Sequence, residues 1–165
     1  MNMSKLFSIG FNRSVSVKKQ DGVLNVTISE LGSEVKSLTF PARRWVQLTN
    51  LVEQIDEAVN RLLVKQNVDL KLQIGGKLYV SVTTGFSCVD LREFYYHPTR
   101  GVSPMKRGIA LRIHEWIMLK DEMQKLFVKY PLLTSTTPCM YEPNHQSCLE
   151  CQPFQFDELF FSTTT

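Results

Sequence analysis

The residues with the clearest chemistry lie between Lys77 and Arg107. Lys77, Tyr79, Phe86, Arg92, Phe94, Tyr95, Tyr96, Arg100, Lys106 and Arg107 mix cations with aromatic rings over a short stretch of chain. Cations neutralise phosphates and ring faces stack bases, at roughly 1–3 kcal/mol per stack, so such a mixture on one sheet face can hold single-stranded nucleic acid with little sequence preference. Alternation along a strand decides which of them act together. In the run Leu91 to Tyr96, Arg92, Phe94 and Tyr96 share one face, and Glu93 and Tyr95 share the other. Structural roles compete for some of these residues: Phe94 fits a core position better than a stacking platform, and Tyr95 and Tyr96 suit either. An isolated Arg or Lys on a strand edge also serves to prevent edge-to-edge aggregation.

A second set stands near the C-terminal end, where Cys139, His145, Cys148 and Cys151 form a C-x5-H-x2-C-x2-C spacing. Thiolates and an imidazole are natural tetrahedral zinc ligands, although the wide loop between ligand pairs of ordinary zinc fingers is missing. The alternatives are a structural zinc site and free thiols. Cys88 falls in a strand run and is expected to be buried. Four cysteines in a chain of 165 residues with no leader sequence point to a reducing compartment and away from a disulfide framework. Catalysis is not expected. His97 and His114 have no Cys or Ser in a nucleophile setting, no G-K-S/T phosphate loop occurs, and the carboxylates are scattered.

The elements that must position these residues are strands and two helices. Tyr79, Val80 and Val82, then Val89 to Tyr96, then Ile109 to Ile113 read as strands, and Trp116, Leu119, Met123 and Leu126 switch to helical spacing. The same unit occurs twice. Phe7 to Val17 reads FSIGFNRSVSV, and 65 positions later Leu72 to Val82 reads LQIGGKLYVSV; Glu30 then matches Glu93, and Trp45 matches Trp116. In the first copy, strands are expected at Lys5 to Phe11, Ser14 to Lys19, Val23 to Glu30 and Val35 to Phe40, with a hairpin at Asp21-Gly22. One helix should follow Pro41, its stripe running from Trp45 through Leu48, Leu51, Val52, Ile55, Ala58, Val59 and Leu62 to Leu63. The second copy carries a longer connection before its last strand, containing His97-Pro98 and Lys106-Arg107-Gly108.

Four segments of the second copy, in order, are similar to the positive-cofactor-four transcriptional coactivators, a family that binds single-stranded DNA. They are I-G-x-x-x-x-V-S-V at Ile74 to Val82, D-L-R-E-F-Y at Asp90 to Tyr95, P-M-K-R-G-I-A-L at Pro104 to Leu111, and the helix start Glu115-Trp116 with Leu119-Lys120. The resemblance implies a homodimer-like assembly, here within one chain: an α+β fold of two tandem β-β-β-β-α units, each a curved antiparallel sheet with one helix, with the helices packed together as a single-chain pseudo-dimer. It divides the chain into repeat one (1–66), repeat two (70–130) and a tail (131–165). It also implies that Arg92 contacts DNA, that Tyr95 is the adjacent aromatic, that Lys106-Arg107 is the basic pair, and that Phe86 takes an aromatic position in a shortened turn. In repeat one it places Arg13 at a basic position and Lys18-Lys19 at a contact hairpin, while Ser29-Glu30-Leu31 departs from the family's pattern. Arg43 and Arg44 at the helix start oppose the helix dipole, which an external anion or an acidic neighbour would explain.

Composition agrees with an intracellular globular protein, with nuclear localisation implied by the resemblance. Hydrophobic residues make up 43%, and no apolar run approaches membrane-spanning length. The net charge of +3 is unevenly placed: residues 71–130 hold ten Lys or Arg against five acids, whereas residues 131–165 hold none against four. A basic body suits a polyanion, and the acidic, aromatic end at Phe154 to Phe161 suits that same groove, a transcription or replication protein, or simply a disordered end or a strand packed on the body. The expectation is a monomeric, non-enzymatic single-stranded-DNA-binding protein of transcription, replication or repair, with no cofactor unless the tail holds a structural zinc. The competing expectation is a protein-interaction adaptor built on the same scaffold.

Overall fold

Asp21 and Gly22 take positive φ values of 53° and 79°, the left-handed pair that a tight hairpin requires, and they join two of the first four strands. In the computed structural model, which describes residues 3–10 and 12–138, these strands are β1 (Met3–Gly10), β2 (Arg13–Gln20), β3 (Val23–Glu30) and β4 (Ser33–Pro41). Two helices follow, α1 (Ala42–Asn50) and α2 (Val52–Leu63). The second unit repeats the pattern with β5 (Asp69–Gly75), β6 (Leu78–Thr83), β7 (Cys88–His97), β8 (Gly101–Arg112) and α3 (Ile113–Lys129), and the short α4 (Leu132–Ser135) ends the described chain. Each sheet is an antiparallel meander, β1-β2-β3-β4 and β5-β6-β7-β8. The architecture is therefore α+β with two tandem units. Among the described residues no helix is long and apolar enough to cross a membrane.

Alternation turns one face of each sheet inward. Val15, Ile28 and Leu38 are cross-strand partners in the first sheet, as are Val80, Leu91 and Ile109 in the second, and all six are buried. Both rows join a single apolar cluster with Trp45, Ile55, Trp116 and Leu126. The helices lean across the seam: α3 packs on β1 as well as on β7 and β8, and α1 packs on β5 as well as on β3 and β4. Fully burying one aliphatic side chain is worth roughly 1.5–3 kcal/mol, and several of these residues are wholly buried, so the units share one core. The helices themselves meet at Asp56, whose Oδ1 accepts from Trp116 Nε1 at 2.9 Å while Lys120 Nζ reaches both carboxylate oxygens at 2.9 Å. The matching indole, Trp45 Nε1, is buried without a hydrogen-bond partner among the described residues.

The two Ile-Gly pairs explain their own spacing. A Cβ on Gly10 would lie 2.7 Å from Glu115 Oε2, and one on Gly75 would overlap the Arg44 guanidinium. Each glycine thus forms a saddle for the residue that precedes the tryptophan of the other unit. Glu115 is fixed there by the Arg112 backbone N–H at 2.9 Å and faces Arg13 Nη1 at 3.7 Å. Arg44 is buried in the interior, so it fills this seat and does not present its charge to an external anion.

Other expectations need correction. The first unit has two helical segments, not one, meeting at Leu51, whose N–H still donates to the Gln47 carbonyl at 3.2 Å. There Thr49 Oγ1 donates back to the Val46 carbonyl at 2.6 Å, a local bond that bends helices. The apolar stripe fades at its end, where Leu63 is 60% exposed. The longer connection of the second unit is an extension of the β7–β8 hairpin, with His97 opposite Gly101 and only a tight turn between them. Its turn is held by His97 Nδ1, which accepts from the Thr99 and Arg100 backbone N–H groups at 3.2 and 3.3 Å. The tail begins on the body, with Leu133 of α4 buried in the core. Cys139, His145, Cys148, Cys151 and the segment Phe154 to Phe161 lie outside the described residues.

Candidate nucleic-acid interface

The outward rows of the two sheets differ in chemistry. Across the second sheet, Gln73, Tyr79, Arg92 and Gly108 are successive cross-strand partners, and beside them run Lys71, Ser81, Asp90 and Ala110. The equivalent row of the first sheet is Ser8, Ser14, Ser29 and Ser37, beside Ser16, Thr27 and Thr39. Its hydroxyls bond to one another, Ser14 to Ser29 at 3.4 Å and Thr27 to Thr39 at 2.9 Å. One sheet offers rings and cations. The other offers a row of hydroxyls with Lys18 and Lys19 exposed at the end of β2.

A groove of about 380 Å³ lies on the outward face of the second sheet, lined by Ser81, Thr83, Phe86, Cys88, Arg92 and Phe94 among others. Phe94 is only 5% exposed, yet it stands apart from the helix-side core: its ring lies edge-on to Tyr79 at 5.0 Å and under Lys71 Nζ at 4.7 Å. It is buried, as expected, but on the outer face of the sheet, where it lines the groove floor instead of joining the helix-side cluster. Phe86 is 66% exposed at the rim, in a turn that Gly85 closes with a φ of 96°. Such a ring has one face available for stacking. Cys88, expected to be buried, is half-buried in the groove, and its thiol pKa is pushed up by burial and by Asp90, with Arg92 opposing them. Burial likewise raises the Tyr79 phenol, which stays neutral.

Arg92 occupies the centre. Its Nε and Nη2 form a fork with the Asp90 carboxylate at 3.0 and 3.1 Å, and Nη1 donates to the carbonyls of Met105 and Lys106 at 2.9 and 3.1 Å. Those carbonyls belong to an irregularity in β8. Arg92 pairs with Gly108 but Phe94 pairs with Pro104, so two extra residues bulge outward between them, and Met105, Lys106 and Arg107 are exposed there. Lys77 is exposed on the β5–β6 turn. Tyr95 points to the face opposite Arg92 and Phe94, as alternation predicts, and its hydroxyl accepts from Arg100 Nη2 at 3.2 Å.

The candidate residues therefore divide. Lys77, Tyr79, Phe86, Arg92, Lys106 and Arg107 lie on or around one face, whereas Tyr95 and Arg100 sit together on the hairpin extension. Arg13 belongs elsewhere: with a side chain only 13% exposed, it donates to the Ala110 carbonyl at 2.9 Å and pairs with Glu30 at 3.3 Å, joining the first unit to the second. Its place is the seam, which does not suit a contact to an external polyanion. Lys71, Gln73 and Asp90 share that outward face, and composition alone did not single them out. The pairing of Asp90 with Arg92, two residues apart on one strand face, is the signal that alternation offered for one of them.

The second unit is an antiparallel sheet with basic and aromatic residues around a groove on its outward face and a helix packed on the other. Residues 72–122, from within β5 to within α3, match the family model described as Transcriptional Coactivator p15 (PC4). The match takes in β6, β7 and β8, with the groove and the bulge, and the first unit lies outside it.

Proposed function

We propose that the protein is a non-enzymatic, single-stranded-DNA-binding factor of transcription that acts in the nucleus through the outward face of its second sheet. The observation that carries this reading is the contrast between the row Gln73-Tyr79-Arg92-Gly108, with its groove and basic bulge, and the row Ser8-Ser14-Ser29-Ser37. The match of residues 72–122 to a coactivator family supports it. Phosphates would run along Lys77, Lys106 and Arg107, and bases would stack at Phe86, while the first unit completes the core. The protein is read as a monomer, because the apolar faces of both units are covered within one chain.

Titration of labelled single-stranded and duplex oligonucleotides at several salt concentrations tests the proposal. Single strands should bind more tightly, with log affinity falling against log salt at a slope of roughly −0.7 per neutralised phosphate. Replacing Lys106 and Arg107 by Ala should weaken binding more than replacing Lys18 and Lys19. Equal affinity for duplex, or a flat salt response, rejects the reading.

A further inference from the structure

The resemblance puts Arg92 directly on DNA, yet all three of its guanidinium nitrogens are engaged within the protein. The fork to Asp90 fixes the plane of the guanidinium, and the two bonds from Nη1 fix the carbonyls of Met105 and Lys106. Gly108 completes the arrangement, since a Cβ there would come within 2.7 Å of Arg92 Cζ and 2.8 Å of its Cγ. The bulge of β8 has no ladder partner opposite it on β7, because the pairing skips from Gly108 to Pro104. Arg92 supplies from its side chain the hydrogen bonds that a neighbouring strand would otherwise give.

We propose that Arg92 is a positioning residue and not a phosphate ligand: Asp90 orients its guanidinium, the guanidinium holds the bulge, and the bulge presents Lys106 and Arg107. This rests on the binding role proposed above and deepens it. The Asp90–Arg92 fork is charge-assisted and two-pointed, the strong kind of hydrogen bond, so its loss should release the bulge.

The sign of one substitution separates the two roles. If Arg92 touched phosphate, Asp90→Asn would remove an anion from the site and free a cation, and single-stranded DNA would bind more tightly. If Arg92 is a brace, the same change weakens binding about tenfold, although the protein has become more positive. Arg92→Lys keeps the charge but cannot form the fork, and Gly108→Ala alters no charge at all; both should weaken binding similarly. In a Lys106→Ala/Arg107→Ala background, Asp90→Asn should have little further effect, a non-additivity that general destabilisation would not produce.

A measurement without nucleic acid stands beside these. Limited trypsin digestion, read by mass spectrometry, should cut after Lys106 and Arg107 faster in Asp90→Asn and Arg92→Lys than in the parent, with the other sites unchanged. Tighter binding by Asp90→Asn, or unchanged cleavage at the bulge in both variants, overturns the brace. Failure of the parent protein to bind single strands would overturn the binding role instead, and the digestion would still judge the brace.

Discussion

Asp56→Ala should unfasten the two units more than any other single change at the helix surface. Trp116 is wholly buried, and its indole N–H donates to Asp56 at 2.9 Å. Leaving that donor buried and unpaired costs about 1–3 kcal/mol. The ion pair with Lys120 is about one-third exposed on both sides, so its share is under about 1 kcal/mol. Together the loss should be on the order of 2–3 kcal/mol, which for a protein of this size lowers Tm by roughly 5–10 °C. Urea denaturation with an unchanged m-value reads it directly. In a Trp116→Phe background, where no indole donor remains, the effect of Asp56→Ala should shrink to the Lys120 share. A loss below about 0.5 kcal/mol, or an equal loss in both backgrounds, would refute the assignment of the stabilisation to the buried indole.

Gly10→Ala and Gly75→Ala should each destabilise the fold by roughly 1–3 kcal/mol in the same assay, because a methyl group meets Glu115 or Arg44 in an overpacked seat. Gly75→Ala should be the worse of the two, since its φ of 154° adds backbone strain. Cys88, with its thiolate disfavoured by burial and by Asp90, should be alkylated more slowly than an unhindered thiol at neutral pH and faster as pH rises; peptide-resolved iodoacetamide labelling checks this. Asp90→Asn should speed that labelling. Light scattering should report a monomer.

Strands were legible where alternation is strict and turns carry their own chemistry. The strand from Val23 to Glu30 was bounded correctly because Asp21-Gly22 fixes one end and buried residues then alternate cleanly at Leu24, Val26 and Ile28. The two-unit α+β plan was legible from the repeated Ile-Gly and Val-Ser-Val. The division at Leu51 was not, because apolar spacing continues through it and no Gly or Pro marks it. Nor was the register of β8, where two residues leave the ladder and a side chain from β7 takes their carbonyls. Phe94 and Arg13 show the same limit at the site. A buried aromatic on the outer face of a sheet, and an arginine turned into a seam, both depend on what lies across from them in space.

The two glycine saddles hold a carboxylate on one side and a guanidinium on the other, at positions that the repeat makes equivalent. Two identical chains assembled face to face must place the same residue in both seats, so opposite occupants are open only to halves of unlike sequence, as in this chain. The occupants also disfavour pairing of like units. Two first units brought together would seat Arg44 on Gly10 beside Arg13, cation against cation. Two second units would seat Glu115 on Gly75, where the position matching Arg13 is the buried Leu78, and strand a carboxylate without a counter-ion. Each half is thereby shaped for its unlike neighbour, and only one of the two sheets carries rings and cations on its outward face.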